Sequence, residues 1–168
     1  MTELWRLPVS DLSAKFIAGD LSPVEVLEAC LARCEAINPA LNAVVTLDVD
    51  GARKSAAESE ARHRSGAALG PLDGIPLTVK DNIYVGGLRA TWGSLLFENL
   101  IAPRDDIPVE RLRAAGAVIA GKTNTPEFAI SAHTDNRVFG VTRNPWDTAL
   151  SPGGSSGGAS ASVPAGVT

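Results

Sequence analysis

The sequence predicts an α/β fold in which N-terminal helices lead into a sheet built around a parallel strand–helix–strand unit. Three observations predict it. A capped stretch with helical periodicity follows Ser22. An apolar strand, a helix and a second apolar strand succeed one another between Ile75 and Ala120. Those strand segments are continuously apolar rather than alternating, as in a sheet covered on both faces. At 168 residues, 45% hydrophobic and 20% charged, the chain has the make-up of one compact domain with a sizeable core, which excludes disordered and collagen-like classes.

The first helix runs from Ser10 to about Ala18 and stops before Gly19. The second starts at Ser22-Pro23-Val24-Glu25, a capping box with proline at the first helical position. Behind it Val26, Leu27, Cys30, Leu31, Cys34 and Ile37 recur at helical spacing, and Asn38-Pro39 stops the pattern. Leu41 to Leu47 reads as a strand. Asp50 to Arg64, rich in Ala, Glu and Arg, reads as an exposed helix ended by Gly66, and Gly70-Pro71-Leu72-Asp73-Gly74 reads as a turn.

From Ile75 the pattern changes. Ile75 to Val79 is a short strand, Gly86-Gly87 lies in a loop, Pro108 to Ala115 is a helix closed by Gly116, and Ala117 to Ala120 is a second strand. Beyond Gly121 loop predominates, with a short helix near Glu127 to Ser131 and a Gly/Ser turn leading into a small-residue helix. There is no internal repeat.

Net charge is −4 with the Lys and Arg residues scattered, so the basic patch that direct nucleic-acid binding draws on is missing. The start Met1-Thr2-Glu3-Leu4-Trp5-Arg6 has neither a basic nor an apolar leader region. No stretch approaches the roughly 20 apolar residues of a membrane span. The expected compartment is the cytoplasm, with no membrane partner. Cys30 and Cys34, four apart in a helical pattern, read as buried packing, and His63 and His133 share no ligand spacing, so no metal site is expected.

Two segments carry chemistry. Lys80 directly follows the strand Ile75 to Val79, at the carboxyl edge where open α/β sheets bind ligands. A lone lysine there is most simply a solvated strand-end charge. A desolvated one loses its proton more readily and can serve as a general base. The second segment is Pro152-Gly153-Gly154-Ser155-Ser156-Gly157-Gly158, adjacent hydroxyls flanked by glycine pairs that let another group approach the main chain closely. Its blander reading is a flexible linker. As a phosphate loop it fails, because no Lys-Ser or Lys-Thr follows. It matches G-x-S-x-G in two frames, centred on Ser155 or Ser156, but the acid and histidine that such an elbow requires do not follow.

Four blocks, Gly74 to Asn82 (GIPLTVKDN), Ala115 to Ala129 (AGAVIAGKTNTPEFA), Thr142 to Asp147 (TRNPWD) and Pro152 to Gly158 (PGGSSGG), resemble the amidase signature family in its own order. The likeness covers nearly the whole chain. It implies the amidase signature fold, with N-terminal helices followed by part of a mixed, largely parallel β-sheet covered by helices. It also implies a Ser, cis-Ser, Lys triad that hydrolyses carboxylic amides through an acyl-enzyme, with no cofactor. Carried over to this sequence, the lysine is Lys80. The bridging serine, preceded by a non-proline cis peptide bond, is Ser155, in a turn padded by Gly153, Gly154, Ser156, Gly157 and Gly158. Ser131, Ala132 and His133 fall in a stretch that lines the substrate pocket in relatives, with ordinary loop residues as the alternative.

The departure from the family is the nucleophile. Its serine lies in a Gly-Gly-Ser-Ile-Arg-like segment downstream of the cis-serine, beside the backbone amides of the oxyanion hole, and no such segment occurs before Thr168. Residues 1–168 are therefore expected to be the N-terminal portion of one amidase domain, inactive alone. The alternatives are a non-catalytic fragment or pseudoenzyme, or an A-type amidotransferase subunit that works on glutamyl-tRNA. Thr125-Pro126-Glu127-Phe128 and His133-Thr134-Asp135-Asn136 resemble the simple amidases more than the amidotransferase subunits. The expected partner is a small-molecule amide, with a homodimer as the candidate assembly of the full-length protein.

Overall fold

A computed structural model describes residues 3–167, so Met1, Thr2 and the chain end at Thr168 lie outside the described residues. Helix α1 (Val9–Ala18) ends on Gly19, whose φ of 76° gives the left-handed cap. Helix α2 (Pro23–Leu41) has the expected capping box: Ser22 Oγ accepts from the Glu25 amide at 3.2 Å, and Glu25 Oε2 accepts from the Ser22 amide at 2.8 Å.

The expected stop at Asn38-Pro39 is overturned, because α2 carries Pro39 inside its last turn and continues to Leu41. Proline forfeits one helical hydrogen bond there, but other groups close the helix end. Asn42, at φ 51°, donates its amide to the Asn38 carbonyl at 2.7 Å. The Asn38 side chain accepts from the Ala43 and Val44 amides at 2.9 Å and donates to the Val44 carbonyl at 2.8 Å. Strand β1 therefore starts late and spans Val44–Leu47 rather than beginning at Leu41.

Helix α3 (Val49–Arg64) is capped by the Asp48 carboxylate. It is less exposed than its composition suggests: Ala52, Ala56 and Ser59 are buried, their small side chains letting α3 lie close to α2 and the sheet. Asp73 pins its C-terminal end. The buried carboxylate accepts from Arg62 Nε at 3.0 Å, from Arg62 Nη2 at 2.6 Å and from the Leu69 amide at 2.9 Å.

The predicted βαβ unit is present as β2 (Pro76–Lys80), α4 (Ile107–Ala114) and β3 (Val118–Thr123), with β2 and β3 parallel. Sheet order is β1-β3-β2, and β1 runs antiparallel to β3, so the sheet is mixed. Both faces are covered. Leu27, Ala52, Ala56, Val118 and Ala120 pack on one side, and Val79, Val85, Val109 and Ile119 on the other. The central strand β3 continues three residues past Ala120, through Gly121, Lys122 and Thr123, because its backbone there pairs with both neighbours.

Of the short helix expected near Glu127 to Ser131, a single 3₁₀ turn (Glu127–Ala129) forms. Phe128 and Ala129 take left-handed φ values of 52° and 59°, which end it. Helix α5 (Gly157–Ser162) is the small-residue helix, seated on the ends of the strands. Cys30 and Cys34 are buried in the packing of α2, as read. Burial pushes the Cys30 thiol up to about 11, with Cys34 adding to the effect, and burial raises Cys34 too. Among the described residues no helix is long and apolar enough to cross a membrane.

Candidate active site

Strand β2 delivers Lys80 to the carboxyl edge of the parallel pair, half-buried. Its Nζ donates to Ser155 Oγ at 2.8 Å and lies 3.1 Å from Ser156 Oγ. Two segments 75 residues apart in sequence thus meet at one amine. Burial pulls the Lys80 ammonium below the usual lysine range, because desolvation disfavours the charged form.

The serine turn is held from three sides. The Gly154–Ser155 peptide bond is cis. The Ser155 carbonyl accepts from Thr125 Oγ1 at 3.2 Å. Thr134 Oγ1 donates to the Gly153 carbonyl at 2.9 Å and accepts from the Gly157 amide at 3.1 Å, while the Gly158 amide donates to the Asn124 carbonyl at 3.2 Å.

The glycines on either side are required by close approach. A Cβ on Gly154 would lie 2.7 Å from the Ser131 carbonyl oxygen and 2.9 Å from the His133 amide nitrogen. One on Gly158 would lie 2.7 Å from the carbonyl oxygens of Ala43 and Asn124. The same contact brings the exposed stretch Ser131, Ala132 and His133 against the turn, so this stretch, the serine turn and Lys80 lie together.

Sequence reading missed the polar layer beneath. Lys122, Thr123, Asn124 and Thr125 are all buried, as are Thr134, Asn136 and Thr142. Asn136 Nδ2 donates to Asn124 Oδ1 and to the Thr125 carbonyl, both at 2.7 Å, and Asn124 Nδ2 donates to Thr142 Oγ1 at 2.9 Å. This network fixes the segment on which the turn rests. Its signal in the sequence was the polar run KTNT (122–125) set directly behind an apolar strand. Asp81, next to Lys80, is also fully buried, its carboxylate accepting from Thr91 Oγ1 at 2.6 Å.

A half-buried amine within hydrogen-bond reach of a serine hydroxyl can accept that hydroxyl's proton while the oxygen takes one from a third group.

Comparisons with known proteins bear on this arrangement. The family model for Amidase matches residues 25–168. The A-type subunit of the glutamyl-tRNA(Gln) amidotransferase from Chloroflexus aurantiacus is 45% identical over 166 residues, 99% of this chain and 34% of that protein. The acylamidase of Rhodococcus erythropolis is 44% identical over 169 residues, again 99% of this chain and 35% of that protein. Among solved structures, the native peptide amidase of Stenotrophomonas maltophilia superposes with a TM-score of 0.90 at 39% identity, covering 97% of this chain and 35% of that one. A 6-aminohexanoate cyclic dimer hydrolase bound to its substrate gives 0.87 at 36% identity, over 98% and 33%. The chain spans about a third of the length of these relatives.

Proposed function

The chain belongs to the amidase signature family, and from that premise we propose that it supplies the base and the bridging hydroxyl of a serine amidase. Lys80 is the base and Ser155 the bridge. The acylating serine comes from a segment not among these 168 residues. Neutral Lys80 takes the proton of Ser155 Oγ as Ser155 takes the proton of the attacking serine, whose oxygen bonds to the amide carbonyl carbon. The tetrahedral intermediate collapses with the C–N bond broken, and the relay returns its proton to the leaving ammonia or amine. Water then attacks the acyl-enzyme by the same relay, releasing the acid.

The observation that carries this reading is the 2.8 Å separation of Lys80 Nζ and Ser155 Oγ. The lowered affinity of Lys80 for its proton supports it, since only the neutral amine can accept one. Ser131, Ala132 and His133, packed on the turn, are assigned to the substrate pocket.

The test is labelling with a fluorophosphonate, read by intact mass and peptide mapping. The intact amidase that contains this segment should be labelled at a serine outside residues 1–168, and more slowly once Lys80 is replaced by alanine. The 168-residue chain alone should neither label nor release product from a chromogenic anilide. Stoichiometric labelling at Ser155 would overturn the assignment.

A second reading is favoured by the 45% identity to an A-type amidotransferase subunit. The TPEF and HTDN stretches at 125–128 and 133–136 favour the simple amidase. Release of ammonia from small amides by the intact protein, with no other subunit present, decides for the simple amidase. Amide turnover that appears only with further subunits and a charged tRNA decides against it.

A further inference from the structure

Lys122 stands on β3 in register with Val79 of β2, and none of its side chain is exposed. Its Nζ donates to the carbonyl oxygens of Asp81 and Arg89, each 3.3 Å away. These carbonyls mark the two ends of the loop that leaves β2 immediately after Lys80. The loop is further fastened by the Asp81 amide on the Thr123 carbonyl at 2.9 Å, and by the Asp81 carboxylate on the Thr91 amide at 3.0 Å and hydroxyl at 2.6 Å.

An ammonium group is an expensive way to fill a sheet interior, where an apolar side chain of equal length would pack without desolvation cost. Its placement is explained by what it grips. The carboxylates that act on it are Asp81, at the end of β2, and Asp106, at the N-cap of α4, whose Oδ2 accepts from the Tyr84 amide at 2.8 Å. Arg89 meets it through its carbonyl.

We propose that Lys122 is a positioning residue for the amidase reaction, its ammonium clamping both ends of the Asp81–Arg89 loop so that Lys80 keeps its amine on Ser155. This inference rests on the assignment of Lys80 as base. The clamp is tightest while Lys122 is charged, because an ammonium donates more strongly to carbonyl oxygens than the neutral amine does. Burial lowers its pKa to about 8, against the opposing pull of Asp81 and then Asp106. The clamp therefore loosens as pH rises through that value, while deprotonation of Lys80 favours the reaction. A bell-shaped rate profile with a descending limb near pH 8 follows.

The experiment measures kcat and KM between pH 6 and 10 on an anilide substrate for the intact amidase containing this segment, per site titrated with fluorophosphonate, alongside thermal melting. Variants are Lys122→Met, Lys122→Arg and Lys80→Ala. Lys122→Met should lower kcat per titrated site about 100-fold, the loss that a displacement of about 1 Å produces, with KM within about twofold and no descending limb. Lys122→Arg, charged at every pH used, should keep kcat within about tenfold of wild type and also lose the limb.

Wild-type kcat and profile in Lys122→Met, beside an inactive Lys80→Ala, would overturn this inference alone. So would a Lys122→Met enzyme with fewer titratable sites, lower melting and wild-type kcat per site, which marks a merely structural lysine. Full activity in Lys80→Ala would overturn the base assignment and this inference with it. Should neither Lys122 variant fold, a wild-type rate that climbs or stays level from pH 8 to 10 overturns the clamp, and a descending limb there supports it.

Discussion

Replacing Gly158 by alanine asks whether the serine turn is held by backbone contact. In an open helical site the change would stabilise the chain by about 1 kcal/mol, because alanine is the better helix former. Here the added methyl meets the main chain of Ala43 and Asn124, with two carbonyl oxygens 2.7 Å from the new Cβ and the Asn124 amide nitrogen closer still. None of these is the movable end of a side chain. Relief requires α5 to retreat from β3, costing about 1–3 kcal/mol as overpacking. The Gly158 amide bond to the Asn124 carbonyl is lost as well, about 1 kcal/mol more.

The net effect is destabilisation by about 1–3 kcal/mol. Urea unfolding of the 168-residue chain, followed by circular dichroism, should show a midpoint lower by about 0.5–1.5 M at a slope of about 2 kcal/mol/M. Gly19→Ala is the control, with φ 76° but nothing within 4 Å, so it should lose only the backbone strain of about 1 kcal/mol. A Gly158→Ala chain as stable as wild type, or more so, would refute the claim that close approach dictates the glycine.

Burial alone would raise the Asp73 pKa, but the Arg62 guanidinium and the Leu69 amide outweigh it and hold the carboxyl below its ordinary 3.8. Its contribution is therefore complete above the unfolded value and is lost as pH falls through the lower folded one. Asp73→Asn should cost about 1–2 kcal/mol at neutral pH by losing charge-assisted hydrogen bonds to a partly exposed Arg62, and should flatten the acid limb of stability against pH in urea titrations. An unchanged limb would show that Asp73 is not its source. The native chain should also resist alkylation by iodoacetamide at pH 8 at both cysteines, since burial raises both thiols and hides them, and should react fully in urea. Rapid native labelling of Cys30 would contradict the packing described for α2.

What the sequence made legible was local chemistry. The Ser22 capping box and the strand–helix–strand succession each follow from residue type and spacing over a few residues, whereas singling out Lys80 and Ser155 took the family resemblance. What it hid was tertiary compensation. Pro39 read as a stop because its missing amide is a local fact, whereas the Asn38 side chain that closes the helix end is a matter of what happens to lie within reach. β3 read as ending at Ala120 because the apolar run stops at Gly121 and Lys122, both poor strand formers, yet pairing on both edges carries the strand to Thr123. The polar network around Asn124 also depends on a partner 100 residues away, where Thr142 Oγ1 donates to the Asn42 carbonyl, which no periodicity encodes.

Lys80 acts through Ser155 and not Ser156, on the function proposed here, although both hydroxyls lie near its amine. The most direct measurement is kcat/KM of the intact amidase containing this segment, with Lys80→Ala, Ser155→Ala and Ser156→Ala compared side by side and folding checked by circular dichroism. Lys80→Ala and Ser155→Ala should each reduce turnover by about 10²–10⁴-fold with the fold retained, and Ser156→Ala should be milder. Inactivation by Ser156→Ala, with Ser155→Ala tolerated, would contradict the account.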